Sequence, residues 1–380
     1  MNGRELHTAI YSGEAFDRLP VQGLWPWAEA LERWRREGLA KDVYWNELLF
    51  APIPDDYMGL PLNLNMVPAF DVRILDRNDE YVTLVDEYGI TKRTLRSDFD
   101  RSGGLMGNAG AMSSMSHWID FPVKTLADWK RLYEERFRPS LDGRLPAEWA
   151  QQTAEFRRKA ETRWVGFFCF PLGGLFGGLR QLLGLEGLAY AMADDPRLVH
   201  TMVDDLTSFW VATFAQVVPD VRLDQITFFE DMCATRGPLI GPAMMREFLA
   251  PGYRKVIGAL KDMGVREFWI DSDGGFAPLL PEMMACGITG TSPCEVQADM
   301  DAGELRAAFP TLNLCGGIDK RALVRGPAAI EDELRRRFAT AWQKGRYCPS
   351  LDHGAPPDIP WAHAQHYAPI YRRYCYEAPM

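Results

Sequence analysis

A (β/α)8 TIM barrel carrying an irregular N-terminal part with a hairpin insertion is the fold class this sequence predicts, and three observations predict it. From Arg163 onward, short apolar β-like segments alternate with helical ones, the pattern of a parallel sheet covered by helices. Six such units are legible, with room upstream for two less regular ones, in a chain of 380 residues that suits one barrel domain spanning 1–380. Acidic residues recur where strand gives way to helix, the end at which barrels carry their chemistry. An open doubly wound sheet is the alternative.

In order along the chain, residues 1–122 read as irregular. Within them "EYVTLVDEYGITKRTL" forms two strands around an Asp-Glu-Tyr-Gly turn, a hairpin insertion. "DRSGGLMGNAGAMSSMSH" is small, glycine-rich and methionine-bearing, the composition of a covering loop. Residues 163–380 hold the regular units. "RWVGFFCF" is a buried strand leading into the glycine loop "PLGGLFGGLR". A long helix follows, with Asp195 as N-cap, Pro196 at the first helical position, and Val199, Met202, Val203, Leu206, Phe209 and Trp210 at helical spacing. Strand "QITFFE" then leads to a helix near Pro242, and "REFWI" to "APLLPEMMAC", stopped by Gly287. "GITGTS" leads to "DAGELRAAF", "TLNLC" to a helix over Pro327–Lys344, and "RYCPSL" to the C-terminal helix.

Composition excludes several function classes. A net charge of -10 argues against a nucleic-acid surface. Seven cysteines without a C-x-x-C pair indicate neither a disulfide framework nor a zinc ribbon. No signal-like apolar core opens the chain and no apolar run reaches membrane-spanning length, so a cytoplasmic enzyme is expected.

The strand ends carry Glu230 and Asp231, Asp271 and Asp273, Glu295, then Gly316, Gly317 and Asp319, and finally Asp352 and His353. Charge at the end of a buried strand is costly unless paired or bound. Asp301 and Asp319 read as ordinary N-caps. Glu230–Asp231 and Asp271–Ser272–Asp273 exceed what one cap needs, so Glu230, Asp231, Asp273 and His353 are the candidate catalytic groups. The glycine loop lacks both the Walker lysine and the G-x-G-x-x-G spacing. Its Gly173, Gly174 and Phe176 are expected to approach a ligand, with Arg180 meeting a substrate carboxylate and Gly316, Gly317 and Asp352 completing the wall.

The stretches "FFEDMCATRGPLIGP", "WIDSDGGFAPLLPEMMACGITGTSPCE", "LNLCGGIDKRAL" and "PSLDHGAPPDIPWAHAQHY" resemble the uroporphyrinogen decarboxylase superfamily, which includes corrinoid- and thiol-linked methyltransferases. The resemblance implies a barrel with a deep cleft. Decarboxylases of the family resemble each other in an N-terminal arginine-rich stretch that grips a polycarboxylate; here "RLPVQGLWPWAEALERW" is aromatic and nearly uncharged after Arg18. The methyltransferase branch implies a zinc site of His-x-Cys and a later Cys. By position Asp271 and Asp273 occupy the first two places and His353 the last, with Glu295 a possible fourth ligand. Such hard donors suit a harder zinc, manganese, iron or magnesium setting, or a metal-free site in which Asp271 and Asp273 are acid and base.

The expected function is therefore a methyltransferase that removes a methyl group from a small methoxylated or methylated substrate. The acceptor is expected to be a corrinoid on a partner protein, since the chain has no D-x-H-x-x-G string of its own. A decarboxylase or lyase, and a non-catalytic tetrapyrrole- or corrinoid-binding barrel, are the alternatives.

Overall fold

A computed structural model describes residues 1–103 and 115–379. The methionine-rich stretch expected to form a covering loop lies mostly outside the described residues. The described strands are β1 (Tyr57–Gly59), β2 (Arg73–Arg77), β3 (Tyr81–Val85), β4 (Thr91–Leu95), β5 (His117–Asp120), β6 (Trp164–Cys169), β7 (Gln225–Phe229), β8 (Cys233–Ala234), β9 (Gly237–Pro238), β10 (Glu267–Asp271), β11 (Gly290–Ser292), β12 (Asn313–Ile318) and β13 (Tyr347–Leu351).

Seven of them form one curled parallel sheet in the order β1-β6-β7-β10-β11-β12-β13, with helices between successive strands. This mixed α/β architecture agrees with the alternation in the sequence, but the ladder has seven strands where eight were expected. Among the described residues β1 and β13 are not paired with each other. Beyond β13, among the described residues, the sheet is continued by a single parallel bridge between Pro26 and Ala355. Among the described residues the segment around Pro26 is not a ladder strand. It is held instead by individual bonds, Trp27 N–H to Ala355 O at 3.0 Å and Ala355 N–H to Trp25 O at 2.8 Å.

The expected hairpin is β3–β4, with Tyr81 opposite Leu95. It is the centre of a four-stranded antiparallel sheet, β2-β3-β4-β5. The N-terminal part is more regular than its sequence suggested, with helices over Gly3–Ser12, Ala28–Arg36, Trp45–Phe50 and Arg96–Ser102. The first opens on a capping box, Asn2 and Glu5 exchanging side-chain and backbone bonds. This helix closes the bottom of the sheet. Its His7 ring stacks on Trp164 at 5.5 Å, and Tyr11 packs on Trp164 at 5.4 Å and Trp269 at 5.2 Å. Above it the Glu267 carboxylate accepts from Thr289 at 2.7 Å, Asn313 at 2.8 Å and Trp269 at 3.1 Å. With that end packed and hydrogen-bonded, the C-terminal ends of the strands are left to form the cleft. The helix Pro196–Val217 starts as expected, Asp195 accepting from Leu198 N–H, and Asp301 and Asp319 cap their helices.

Two tight approaches set the cleft wall. A β-carbon on Gly174 would overlap the carbonyl oxygen of Phe229, and one on Gly316, where φ is 100°, would overlap that of Pro293. Gly316→Ala is therefore expected to lose about 3 kcal/mol of unfolding free energy in denaturant titration. Gly258→Ala, mid-helix with nothing near its β-carbon, should gain about 0.5–1 kcal/mol under the same assay.

Candidate active site

β7, β10, β11 and β13 end together around the cleft. Asp271 closes β10 in register with Phe229 on one side and Ser292 on the other, so the three side chains project from the same face. Ser292 Oγ donates to Asp271 at 2.8 Å. Two residues on, Asp273 Oδ2 lies 3.1 Å from His353 Nε2. The His353 ring is 5.8 Å from the Trp27 ring, which the bridge beside β13 brings over the cleft. Arg180 donates to Asp231 at 3.2 Å from the helix Leu175–Leu183. Asp231 sits at φ 45°, in left-handed backbone that a non-glycine residue adopts only under local constraint. Phe168, Phe170 and Phe229 form an aromatic wall: Phe170 and Phe229 are edge-on at 4.8 Å, and Phe168 and Phe229 at 6.0 Å.

Burial and like charge set the protonation of these acids. Asp271 lies largely buried at the cleft floor; burial first, then the charges of Asp273 and Asp231, push its carboxyl up to about 7, against the Ser292 hydrogen bond. Burial and the Asp273 charge raise Asp231 as well, opposed by Arg180. His353 moves the other way in charge: its hydrogen bond to Asp273 favours the imidazolium and raises its pKa against burial. Near neutral pH the cleft thus holds a carboxyl that carries its proton part of the time beside the hydrogen-bonded His353–Asp273 pair. That combination can give a proton to a departing group and hold a charge in place.

The uroporphyrinogen decarboxylase (URO-D) family model matches residues 172–374, just over half of the 380-residue chain. The chain belongs to the uroporphyrinogen decarboxylase family. The match begins in the glycine loop and runs through every strand end just described. Among solved structures, the chain is similar to a methyltransferase from Methanosarcina mazei. The two are 15% identical with a TM-score of 0.56, over 98% of this chain and 99% of that one. It also aligns with a B12-independent methionine synthase from Shewanella sp. W3-18-1, solved in complex with selenomethionine. That match is 15% identical with a TM-score of 0.33, over 58% of this chain and 67% of that one. At such identity the first likeness concerns the fold alone, and the second is too slight to carry an argument. No curated protein is significantly similar in sequence.

Against this family background, the candidate residues divide. Asp231, Asp271, Asp273, His353 and Arg180 are brought together. Glu230, Asp352 and Phe176 stand behind the wall rather than in it. Glu230 is fully buried and accepts from Leu175 N–H at 2.7 Å and Gly177 N–H at 2.9 Å, closing the N-terminus of the helix Leu175–Leu183. Its carboxyl is pushed up to about 7 by burial, opposed by these N–H groups. Asp352, also fully buried, accepts from Val296 N–H and Lys320 N–H, each at 3.1 Å. Phe176 is in the core. Gly173 and Gly174 abut Cys169 and Phe229, while Gly316 abuts Pro293 and Gly317 donates to the Pro293 carbonyl at 3.0 Å. These glycines pass backbone against backbone, which is the physical use of their missing side chains here.

The expected metal set is not assembled. Among the described residues no three His, Cys, Asp or Glu side chains are grouped to hold a metal ion. Asp271 is turned to Ser292, and Glu295 is engaged by Lys320 Nζ at 3.3 Å and Gly274 N–H at 3.1 Å. An ammonium on one oxygen and a backbone donor on the other compete with any cation, so these residues do not fit a four-ligand site. A chelator at millimolar concentration is expected to leave activity unchanged, and elemental analysis should find less than stoichiometric zinc, manganese or iron.

Sequence reasoning passed over Ser292, Lys320, Trp27, Phe168 and Phe229. Ser292 ends the strand "GITGTS" and was reachable by the same strand-end reading. The phenylalanines were not, because "RWVGFFCF" and "QITFFE" are apolar on both faces and show no alternation to separate cleft from core.

Proposed function

We propose that this chain is a methyltransferase that takes a methyl group from a small methoxylated or methylated compound and delivers it to a corrinoid on a partner protein. The observation that carries the reading is the Asp271 carboxyl, pushed up to about 7 beside the Asp273–His353 pair. A group able to keep its proton near neutral pH is what the departing oxygen needs as its bond to the methyl carbon breaks. The bonding pair stays on oxygen, and Asp271 gives it a proton. Asp273 holds His353 oriented and favours its protonation, and the pair would steady the anion developing beside it. The corrinoid would supply the nucleophile that accepts the methyl carbon. Contact with such a carrier fits the rim beside the cleft, where Trp25 is 70% exposed and hydrogen-bonds through its backbone to the loop after His353. In this reading residues 1–380 act as one barrel domain, its eighth position completed by the extended chain around Pro26.

Charge supports the choice of substrate. Arg180 and Lys320 are already engaged by Asp231 and Glu295, and Arg18 is held by Asp56 through two bonds of 2.6 Å. A polycarboxylate would find few free cations and several acids. The alternative is a decarboxylase or lyase for a smaller acid, favoured by Arg180, which a substrate carboxylate could draw from Asp231. Incubation with uroporphyrinogen and mass spectrometry separates the two. Products lighter by carbon dioxide at enzymic rates would overturn the methyl-transfer reading, whereas unchanged uroporphyrinogen, with demethylation of a methoxylated compound in the presence of a reduced corrinoid protein, is expected.

A further inference from the structure

Glu230 and Asp231 are neighbours in sequence, and they hold the same helix at two places. The helix Leu175–Leu183 starts after Gly174, which has no side chain to cap it. Glu230 supplies the cap from the end of β7. Leu175 N–H donates to its Oε1 at 2.7 Å and Gly177 N–H to its Oε2 at 2.9 Å, so both carboxylate oxygens are used. About one and a half turns further along, Arg180 donates to Asp231 Oδ2 at 3.2 Å. In a regular strand consecutive side chains leave on opposite faces. The left-handed backbone at Asp231, with φ 45°, breaks that alternation and lets both acids reach one helix.

The turn carrying the two acids is itself fixed from the other side. Glu230 N–H donates to Asp271 O at 2.8 Å and Met232 N–H to Ser272 Oγ at 3.1 Å, which ties it to the end of β10. A β-carbon on Gly174 or Gly177 would overlap the Phe229 carbonyl, so the helix lies as close to β7 as backbone permits. Glu230 is fully buried, with Cys169 of β6 and Arg180 as its titratable or charged neighbours. Asp231 faces Arg180 from the helix, Asp271 and Asp273 from the end of β10, and Cys233 from the following turn. Among these side chains Arg180 favours the ionised form of Asp231, helped by the Asp273 N–H.

We infer that Glu230 is a positioning residue: by capping the helix Leu175–Leu183 from β7, it seats Arg180 against Asp231. This goes beyond the methyl-transfer reading and does not rest on it. Two effects of removing the Glu230 charge differ in sign. Through space, one carboxylate fewer makes Asp231 easier to ionise. Through the helix, a loosened first turn lets Arg180 withdraw, and Asp231 becomes harder to ionise.

The test is an NMR titration of the aspartate carboxyl carbons in the full chain, with Asp231 assigned by its absence in Asp231→Asn. Glu230→Gln keeps the shape but sets an amide N–H against one of the two helix donors, so one bond of the cap is lost. The Asp231 midpoint should then move to higher pH, at least about half as far as in Arg180→Gln. The double variant should move no further than Arg180→Gln alone, since the two residues act through one contact. Glu230→Asp, one methylene shorter with its charge kept, should shift the midpoint the same way by less, and it carries the test if the glutamine variant does not fold. An Asp231 midpoint unchanged or moved to lower pH, even with a lower unfolding midpoint, would overturn the inference, as would fully additive shifts in the double variant. Failure of both Glu230 variants to fold overturns it as well, since Glu230 would then serve the fold as a whole.

Discussion

Replacing Asp271 with Asn is expected to lower turnover by about 10²–10⁴-fold, the range for loss of a positioned general acid, while leaving substrate affinity within a few-fold. Asn keeps the shape and can still accept from Ser292, so the loss should fall on kcat rather than KM. In the wild-type enzyme the rate should decline as pH rises through about 7, where Asp271 gives up its proton. The variant should lack that limb. A second consequence concerns stability and runs against the catalytic one. The folded chain holds this proton to about 7, the unfolded chain only to about 4. Stabilisation from the group is therefore complete at low pH and is lost as pH rises through 7. Asn cannot titrate, so at pH 8 the variant should unfold at higher denaturant than wild type, by roughly 1–3 kcal/mol after allowance for remaining solvent contact. A variant that is both inactive and less stable at pH 8 would mean that Asp271 is a structural residue.

Removal of the His353 imidazole should cost about 10²-fold in turnover. Its partner Asp273, 3.1 Å away, then faces Asp231 and Asp271 without a compensating cation. His353→Ala should accordingly raise the apparent pKa of the acid group and move the pH profile upward, a shift that mere loss of packing against Trp27 would not produce. Asp273→Asn tests the same pair from the other side. Since the Asp273 hydrogen bond is the leading cause of the raised His353 pKa, the imidazole should titrate lower in that variant when followed by NMR. The two single losses should not add in the double variant, because each already destroys the pair. Full additivity would show that the residues act separately.

How far the site could be read from the chain depended on what kind of order each residue obeys. Strand-end position is local, and it led to Asp231, Asp271, Asp273 and His353. The direction in which a carboxylate turns is not local. Glu230 follows a strand just as Asp271 ends one, but it is drawn back to the free N–H groups of Leu175 and Gly177, whose nearness depends on Gly174 lying against Phe229. Asp352 is adjacent to His353, yet it is consumed by Val296 and Lys320. The expected ligand set is not grouped among the described residues for the same reason, since Lys320, at the start of the helix Lys320–Arg325, reaches across to meet Glu295.

By itself the sequence determined the β/α alternation, the helix caps at Asp195, Asp301 and Asp319, the central hairpin and the acidic strand ends, because hydrophobic periodicity, capping and turn chemistry act over a few neighbouring residues. Tertiary structure alone decided the rest. It chose which phenylalanines of two uniformly apolar strands face the cleft, brought Trp27 across some 320 residues of chain to His353, and left the described sheet at seven strands with one further bridge at Pro26. It also settled which acids are spent on backbone donors and which remain for chemistry. The physical reason is that a buried charge takes the nearest available partner, and nearness across the chain exists only once the chain is folded.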